Sequence, residues 1–336
     1  MRKAICILLA MIPLLLAGQE RLTVVEWNVE NLFDTTHDSL KNDYDFLPNG
    51  RYRWSSGRYW RKLNRMGQAL ISCGEDSTGW SLPDIVGLCE VENDTVMRDL
   101  TRRSLLRKAR YEYVMTSSPD ERGIDVALMY APFSFRLIQS YALRVLPLKG
   151  MKPTRDILYA SGELISGDTL HVFVVHAPSR SAGERATRSH RLCAMERLCA
   201  SIDSIRARSE GANVLVMGDF NDYADDASLR KLYAHGMENV SRCAAGKHGA
   251  RGTYRWQGEW GSLDQMVVSG SLAAKVASCR INDAPFLLEE DTKYGGVKPR
   301  RNFLGPRYQN CFSDHLPLVL TLRLAISGQK VADKAP

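Results

Sequence analysis

Residues 214–222 read VLVMGDFND, an aliphatic run closed by a glycine and then by two carboxylates flanking a ring and an amide. Such a run predicts a buried strand, Val214–Met217, that empties into a polar turn. Upstream, Val172–Val175 is a second run of this kind and leads into His176. Between them, Glu184–Arg208 repeats Leu192, Met195, Cys199, Ile202 and Ile205 at three- and four-residue intervals, the stripe of a helix lying on a sheet. Strand, helix and strand in that order form a crossover. It makes the two strands parallel and brings their carboxyl ends to one edge.

The same unit recurs nearer the amino terminus. Leu22–Trp27 and Ile85–Cys89 read as strands, and the helix Arg58–Cys73 between them carries Trp60, Leu63, Gly67, Leu70 and Ile71 on one face. Val126–Tyr130, Met266–Ser269 and Pro317–Leu322 complete the set of short apolar runs. No repeat and no linker-like stretch interrupts them. The expectation is one α/β domain over residues 20–325 with a tail at 326–336.

In open α/β sheets ligands bind beyond the carboxyl ends of the strands. The four parallel candidates run into Asn28 and Glu30, into Glu90, into His176, and into Asp219 with Asn221. The other three runs are preceded by Asp125, by Asp264, and by Asp314 with His315. If these three are antiparallel to the first four, in a mixed sheet or a pair of sheets, all these polar residues meet at one rim. Carboxylate and amide oxygens are hard ligands suited to Mg²⁺, Mn²⁺ or Ca²⁺, and no cysteine is among them. An imidazole backed by a carboxylate donates to phosphate oxygens or manages the proton of a water. The set therefore points to metal-assisted hydrolysis of a phosphate ester by water, with no covalent intermediate.

Composition sets the outer limits. The chain has 336 residues, 44% apolar and 25% charged, which excludes disordered and collagen-like chains and allows an ample core. Its formal charge of +7 suits an anionic substrate. No window holds eighteen consecutive apolar residues, so no membrane-spanning helix is expected. Arg2 and Lys3, the uncharged run Ala4–Ala17 and the exit Gly18–Gln19 predict an export leader over residues 1–19 and a periplasmic or secreted protein. Cys6 falls in that leader. The odd number of cysteines left shows no CxxC pair and no zinc spacing, so at least one thiol stays unpaired unless two chains are linked.

The motifs WNVEN (27–31), LCEVEN (88–93), RGIDVALMY (122–130), HAPSR (176–180), GDFND (218–222), LDQMVVS (263–269) and FSDHLPL (312–318) occur in that order over nearly the whole mature chain. Together they resemble the endonuclease/exonuclease/phosphatase superfamily, the deoxyribonuclease I-like fold. The resemblance implies a four-layered α/β/β/α sandwich with two mixed β-sheets. It implies Glu90 as principal Mg²⁺ ligand, with Glu30 and Asp314 at the metal and Asn28 near it. Asp219 matches the residue that orients or deprotonates water, Asn221 an amide on the scissile phosphate, His315 the family's histidine and Asp264 its orienting carboxylate. His176 matches the second histidine of the deoxyribonuclease I branch, and Asp125 is suggested as its carboxylate partner.

The segments VLVMGDFND and EWGSLDQ lack the marks of the inositol polyphosphate 5-phosphatases, and the loop after GDFN departs from the abasic-site endonucleases. The chain is most similar to secreted bacterial members. Basic residues flank the rim motifs, and Arg180 and Arg300 are expected to bind substrate together with Asn28. The leading expectation is a monomeric exported nuclease acting on DNA or RNA. A phosphatase or phospholipase-type diesterase on a small or lipid ester is the alternative enzyme, and a non-catalytic nucleic-acid-binding module is the alternative outside enzymes. A long basic groove favours a polymer, a closed pocket a small ester.

Overall fold

The computed structural model describes residues 21–76 and 79–324. The expected leader (1–19) and tail (326–336) lie outside the described residues. Two six-stranded mixed sheets form the centre of the molecule. The first contains Arg21–Leu32 (β1), Ile85–Val91 (β2), Glu112–Met115 (β3), Asp125–Tyr130 (β4), Val276–Ile281 (β11) and Leu318–Arg323 (β12) in the order β11-β12-β1-β2-β4-β3. The second contains Phe135–Leu143 (β5), Ile157–Leu164 (β6), Thr169–His176 (β7), Asn213–Asp219 (β8), Met237–Asn239 (β9) and Asp264–Ser269 (β10) in the order β9-β10-β8-β7-β6-β5.

Each sheet is built around one crossover. Helix Ser56–Cys73 (α1) follows β1, β1 pairs parallel with β2, and the short helix Asp94–Arg102 (α2) follows β2. Helix Glu184–Arg208 (α3) links β7 to β8, also parallel. Around these pairs β12, β4 and β10 run antiparallel to β1, β2 and β8. This is the arrangement the rim argument needs.

The period-two alternation of strands sorts the second sheet's side chains between two layers. Val172, Val174, Leu215, Met217, Met266 and Val268 pack into the cluster shared with the first sheet. Phe173, Val175, Val214, Val216 and Val267 pack against Met195, Leu198 and Ile202 of α3. The layers are thus helix, sheet, sheet and helix. Gly218 is the point where the VLVM run turns into the site. Its φ is 144°, and a Cβ there would sit 1.9 Å from the Val175 carbonyl oxygen, so only glycine lets β8 lie this close to β7.

Two helix stripes differ from expectation. On α1, Trp60 and Ile71 are half-buried at the margin, while Lys62 sits on the buried stripe with Leu63 and Met66. On α3, Leu192 is half-buried and Arg191 is fully buried, its Nε 2.7 Å from Asp222 Oδ1 in the GDFND turn. Arg191 therefore braces the site from behind and does not join a solvated basic face. The cysteines among the described residues are all free thiols. No helix among the described residues is long and apolar enough to cross a membrane.

Candidate active site

Strand register brings the polar rim together. Asp219 at the end of β8 lies opposite His176 of β7 and Asp264 of β10. Asn28 of β1 lies opposite Cys89, one residue before Glu90. These ends open into a cavity of about 680 Å³ lined by Asn28, Glu30, Glu90, His176, Arg180, Asp219, Asn221, Asp314 and His315 among others.

The floor is held by a dense set of hydrogen bonds. Asn28 Nδ2 donates to Asp219 Oδ2 at 3.0 Å, and the Asn221 backbone N–H donates to Asp219 Oδ1 at 2.8 Å. Asn221 Nδ2 donates to the Ala177 carbonyl at 3.1 Å. His315 Nδ1 lies 2.7 Å from Asp264 Oδ2, which also accepts the Thr253 hydroxyl. His176 Nε2 is 3.7 Å from Asp219 Oδ2 and 3.9 Å from Glu90 Oε1. Four residues here take left-handed backbone without being glycine: Glu30 (φ 51°), Asn31 (56°), Glu90 (68°) and Asn221 (49°). Backbone held in this region costs roughly 1–3 kcal/mol per residue and persists where surrounding structure enforces it.

Electrostatics separates the titratable groups. Burial, and then Asp264, push Asp219 up to about 7, with His315 and the N–H donors from Asn221 and Asn28 pulling it back. Burial alone would depress His315, but Asp264, aided by Asp314 and Asp219, holds it well above the usual histidine range. His176 is driven well below that range by burial and by Arg155, Arg122 and His315. The cavity thus holds one protonated and one neutral imidazole beside a carboxylate poised near neutrality.

A second buried carboxyl lies behind them. Glu26 is 0% exposed, neither of its oxygens has a hydrogen-bond partner, and burial followed by Asp264 and Asp219 raises it well above the ordinary range. The unfolded chain ionises this group near its ordinary value of 4.5, while the folded chain keeps it protonated. Stability therefore falls as pH rises from that value toward the folded one. Glu26→Met is expected to raise stability at pH 8 by about 1–3 kcal/mol and to flatten that decline. Urea unfolding at pH 5 and pH 8 measures both, and a variant less stable than wild type at pH 8 contradicts it.

The donor set fits a hard cation. Glu90 and Asp314 line the cavity, and one oxygen of each is fixed, Glu90 Oε2 by the Asn31 N–H (2.9 Å) and Asp314 Oδ2 by Arg301 (2.9 Å). A closer trio, Asp219, Asp264 and His315, offers ligand atoms within 4.8 Å of one another. Asp264 and His315 are already bonded to each other through Oδ2 and Nδ1 as a carboxylate–imidazole pair, and Asp264 Oδ1 stays buried without a partner.

Two expected placements are corrected. Asp125 does not partner His176. Its carboxylate takes the Thr116 and Ser118 hydroxyls and the Ser118 N–H (3.0 Å), and His176 Nδ1 is buried without a partner. Asp125 shapes the loop that follows β3. Arg300 does not line the cavity; its guanidinium turns to the Phe286 carbonyl at 3.3 Å, and Arg301 takes the cavity position instead. Arg180 is at the wall, stacked 4.8 Å from the Tyr223 ring centroid and paired with Glu184 and Asp226. Sequence reasoning also missed Arg122, Tyr254 against the His315 ring (5.0 Å), and the aromatic wall of Phe46, Tyr52 and Phe303. Arg122 had a signal, since it opens the RGID motif; the wall comes from residues with no common motif.

A family model described as "Endonuclease/Exonuclease/phosphatase family" matches residues 23–324. No curated protein matches the chain. Among solved structures, an endonuclease/exonuclease/phosphatase family protein from Bacteroides thetaiotaomicron is similar with a TM-score of 0.59 at 15% identity, over 91% of this chain and 99% of that one. A mannosyl-6-phosphatase of the same organism gives 0.57 at 16% identity, over 89% and 98%. Truncated Caenorhabditis elegans TDP2 gives 0.54 at 16% identity, over 90% and 97%. These likenesses establish the fold, and the family model covers nearly all of the described chain: this protein belongs to the endonuclease/exonuclease/phosphatase family.

Proposed function

We propose that the protein is an exported, divalent-metal-dependent phosphoester hydrolase that uses water as nucleophile and acts on a compact phosphate ester. The observation that carries the reaction is the meeting of Asp219, the His315–Asp264 pair and the Glu90 carboxylate in one cavity. Glu90 and Asp314 would hold the cation, Mg²⁺ or Mn²⁺, which supplies neutralisation of charge on the phosphoryl oxygens. Asp219 receives the proton of the attacking water and is held in place by Asn28 and Asn221. His315, kept protonated by Asp264, donates from Nε2 to a phosphoryl oxygen. His176, neutral and buried, borders Asp219 and Glu90 as a hydrogen-bonding group without adding charge.

The size of the substrate follows from the walls. All three arginines on the cavity already face carboxylates: Arg180 meets Glu184 and Asp226, Arg301 meets Asp314 and Glu30, and Arg122 meets Asp120 at 4.0 Å. A cavity of about 680 Å³ with an aromatic flank suits a small organic ester better than a long duplex. A nucleic-acid chain end is the second reading, favoured by Trp256, which lies 60% exposed at the rim where a base could stack. The uncharged run that follows Arg2 and Lys3 supports export.

The test is a panel of sugar phosphates, nucleotides, phosphodiesters, DNA and RNA with Mg²⁺ or Mn²⁺, before and after chelation. Turnover of a small ester is expected, abolished by chelator and restored by either ion. Turnover that survives chelation, or no turnover of any member, contradicts the proposal.

A further inference from the structure

We infer that Glu30 is a latch and not a metal ligand: with Lys62 beneath it, it fastens the Arg300–Phe303 segment to the floor of the site and so sets one wall of the substrate cavity. The Glu30 carboxylate is 5% exposed, and both its oxygens are already used. Oε2 accepts the Asn302 backbone N–H at 2.6 Å, and Oε1 accepts that of Phe303 at 3.3 Å. Arg301 Nε lies 3.6 Å from Oε1. Two successive main-chain N–H groups and a guanidinium on one carboxylate form a clamp of charge-assisted bonds. Glu90, by contrast, lines the cavity with one oxygen bonded to the Asn31 N–H and the other 3.9 Å from His176 Nε2.

Lys62 anchors the latch to the scaffold. The left-handed pair Glu30–Asn31 breaks the β1–β2 ladder between Asn28 and Leu32, which frees the Glu30 carbonyl from the sheet. Lys62 is 1% exposed and donates Nζ to that carbonyl at 3.3 Å and to the Phe312 carbonyl at 2.5 Å. One buried ammonium therefore ties the bulge to the segment carrying Asp314 and His315, while Glu30 ties the bulge to residues 302–303. A lysine suits this position because its apolar stem fills the α1 stripe while its head meets two main-chain carbonyls.

What the latch holds is the substrate side of the cavity. Arg301 pairs with Asp314 at 2.9 Å, and the Phe303 ring sits 4.6 Å from Tyr52 and 5.8 Å from Trp54. Around Phe303 the chain forms only two-stranded hairpins, Leu288–Glu290 with Val297–Pro299 and Phe303–Leu304 with Arg307–Tyr308. Short hairpins of this kind are marginal alone, so the Glu30 anchor adds to the main-chain bonds of Arg300 with Leu287 and Phe312 in holding the segment. Glu30 and Lys62 are positioning residues; they act on substrate through Arg301 and Phe303.

The role of this wall rests on the phosphoesterase reading, but the latch is tested without turnover. Full-length Glu30→Gln and Lys62→Met are compared with wild type by tryptic cleavage after Arg300 and Arg301, and by Mn²⁺ half-saturation in paramagnetic resonance. Weakening charge-assisted bonds is expected to speed cleavage about tenfold while Mn²⁺ half-saturation stays within about twofold. With a substrate from the panel, KM rises about tenfold and kcat changes less. Circular dichroism checks folding, and Glu30→Asp, which keeps the charge but shortens the reach, replaces a variant that fails to fold. Unchanged cleavage overturns the latch, and so does a tenfold loss of Mn²⁺ affinity. If wild type turns over nothing, the phosphoesterase reading falls, while cleavage and Mn²⁺ binding still decide the latch.

Discussion

Asp219→Ala is expected to lower kcat by about three orders of magnitude, the range for removal of a positioned general base. Asp219 is the carboxylate on which the floor converges. It accepts from Asn28 and from the Asn221 N–H, and it lies 3.7 Å from His176. The fold should survive, because alanine removes a buried carboxylate that Asp264 already disfavours, and burial and Asp264 are what push its titration to about 7. The two freed donors from Asn28 and Asn221 lie on the cavity wall, where water replaces the lost acceptor. KM should change little, since the carboxylate acts on water and not on the substrate's resting charge. Kinetics on a panel substrate, with urea unfolding of the same protein, checks both halves. A variant with more than a tenth of the wild-type rate contradicts the assigned role.

His315 should give a comparable loss with a different stability signature. His315→Ala removes the donor from Asp264, a carboxylate with 0% exposure whose other oxygen has no partner. Breaking a buried pair by removing one side costs roughly 3–5 kcal/mol. This variant is therefore expected to be both inactive and destabilised. His315→Asn places an amide N–H near the position of Nδ1 and keeps the bond to Asp264, but it has no group where Nε2 stood. It should recover most of the stability and still lose about 10²–10⁴-fold in kcat. Thermal unfolding and kcat measured side by side separate the two effects. Recovery of activity by asparagine would show that His315 acts only as Asp264's partner.

The rim was legible because strands have a period of two and crossovers have a fixed hand. Asp219, His176 and Asp264 are neighbours in register, and each is placed at a strand end by the aliphatic run beside it. Buried charge was much harder to read. Lys62 and Arg191 fall on helix stripes where sequence alone favours a solvated cation, and only the opposing carbonyls and Asp222 show otherwise. Glu26, between Val25 and Trp27, gave no hint that its carboxyl is enclosed without partners. Asp125 was misread because Thr116 and Ser118 reach it from a loop whose path no periodicity describes. Arg300 and Arg301 differ only in which way an irregular backbone turns each side chain. The strands Phe135–Leu143 and Ile157–Leu164 escaped notice for simpler reasons. One is a largely exposed edge strand, and the other carries alanine, serine and glycine where a core run would carry larger residues.

Mn²⁺ binding followed by paramagnetic resonance, on wild type, Asp219→Ala and Glu90→Gln, examines the site with no assumption about substrate. Wild type and Asp219→Ala should each bind an ion in this cavity, and Glu90→Gln should lose it. Undiminished binding by Glu90→Gln would remove the cation from beside Asp219 and His315, and with it the basis for phosphoester hydrolysis at this site.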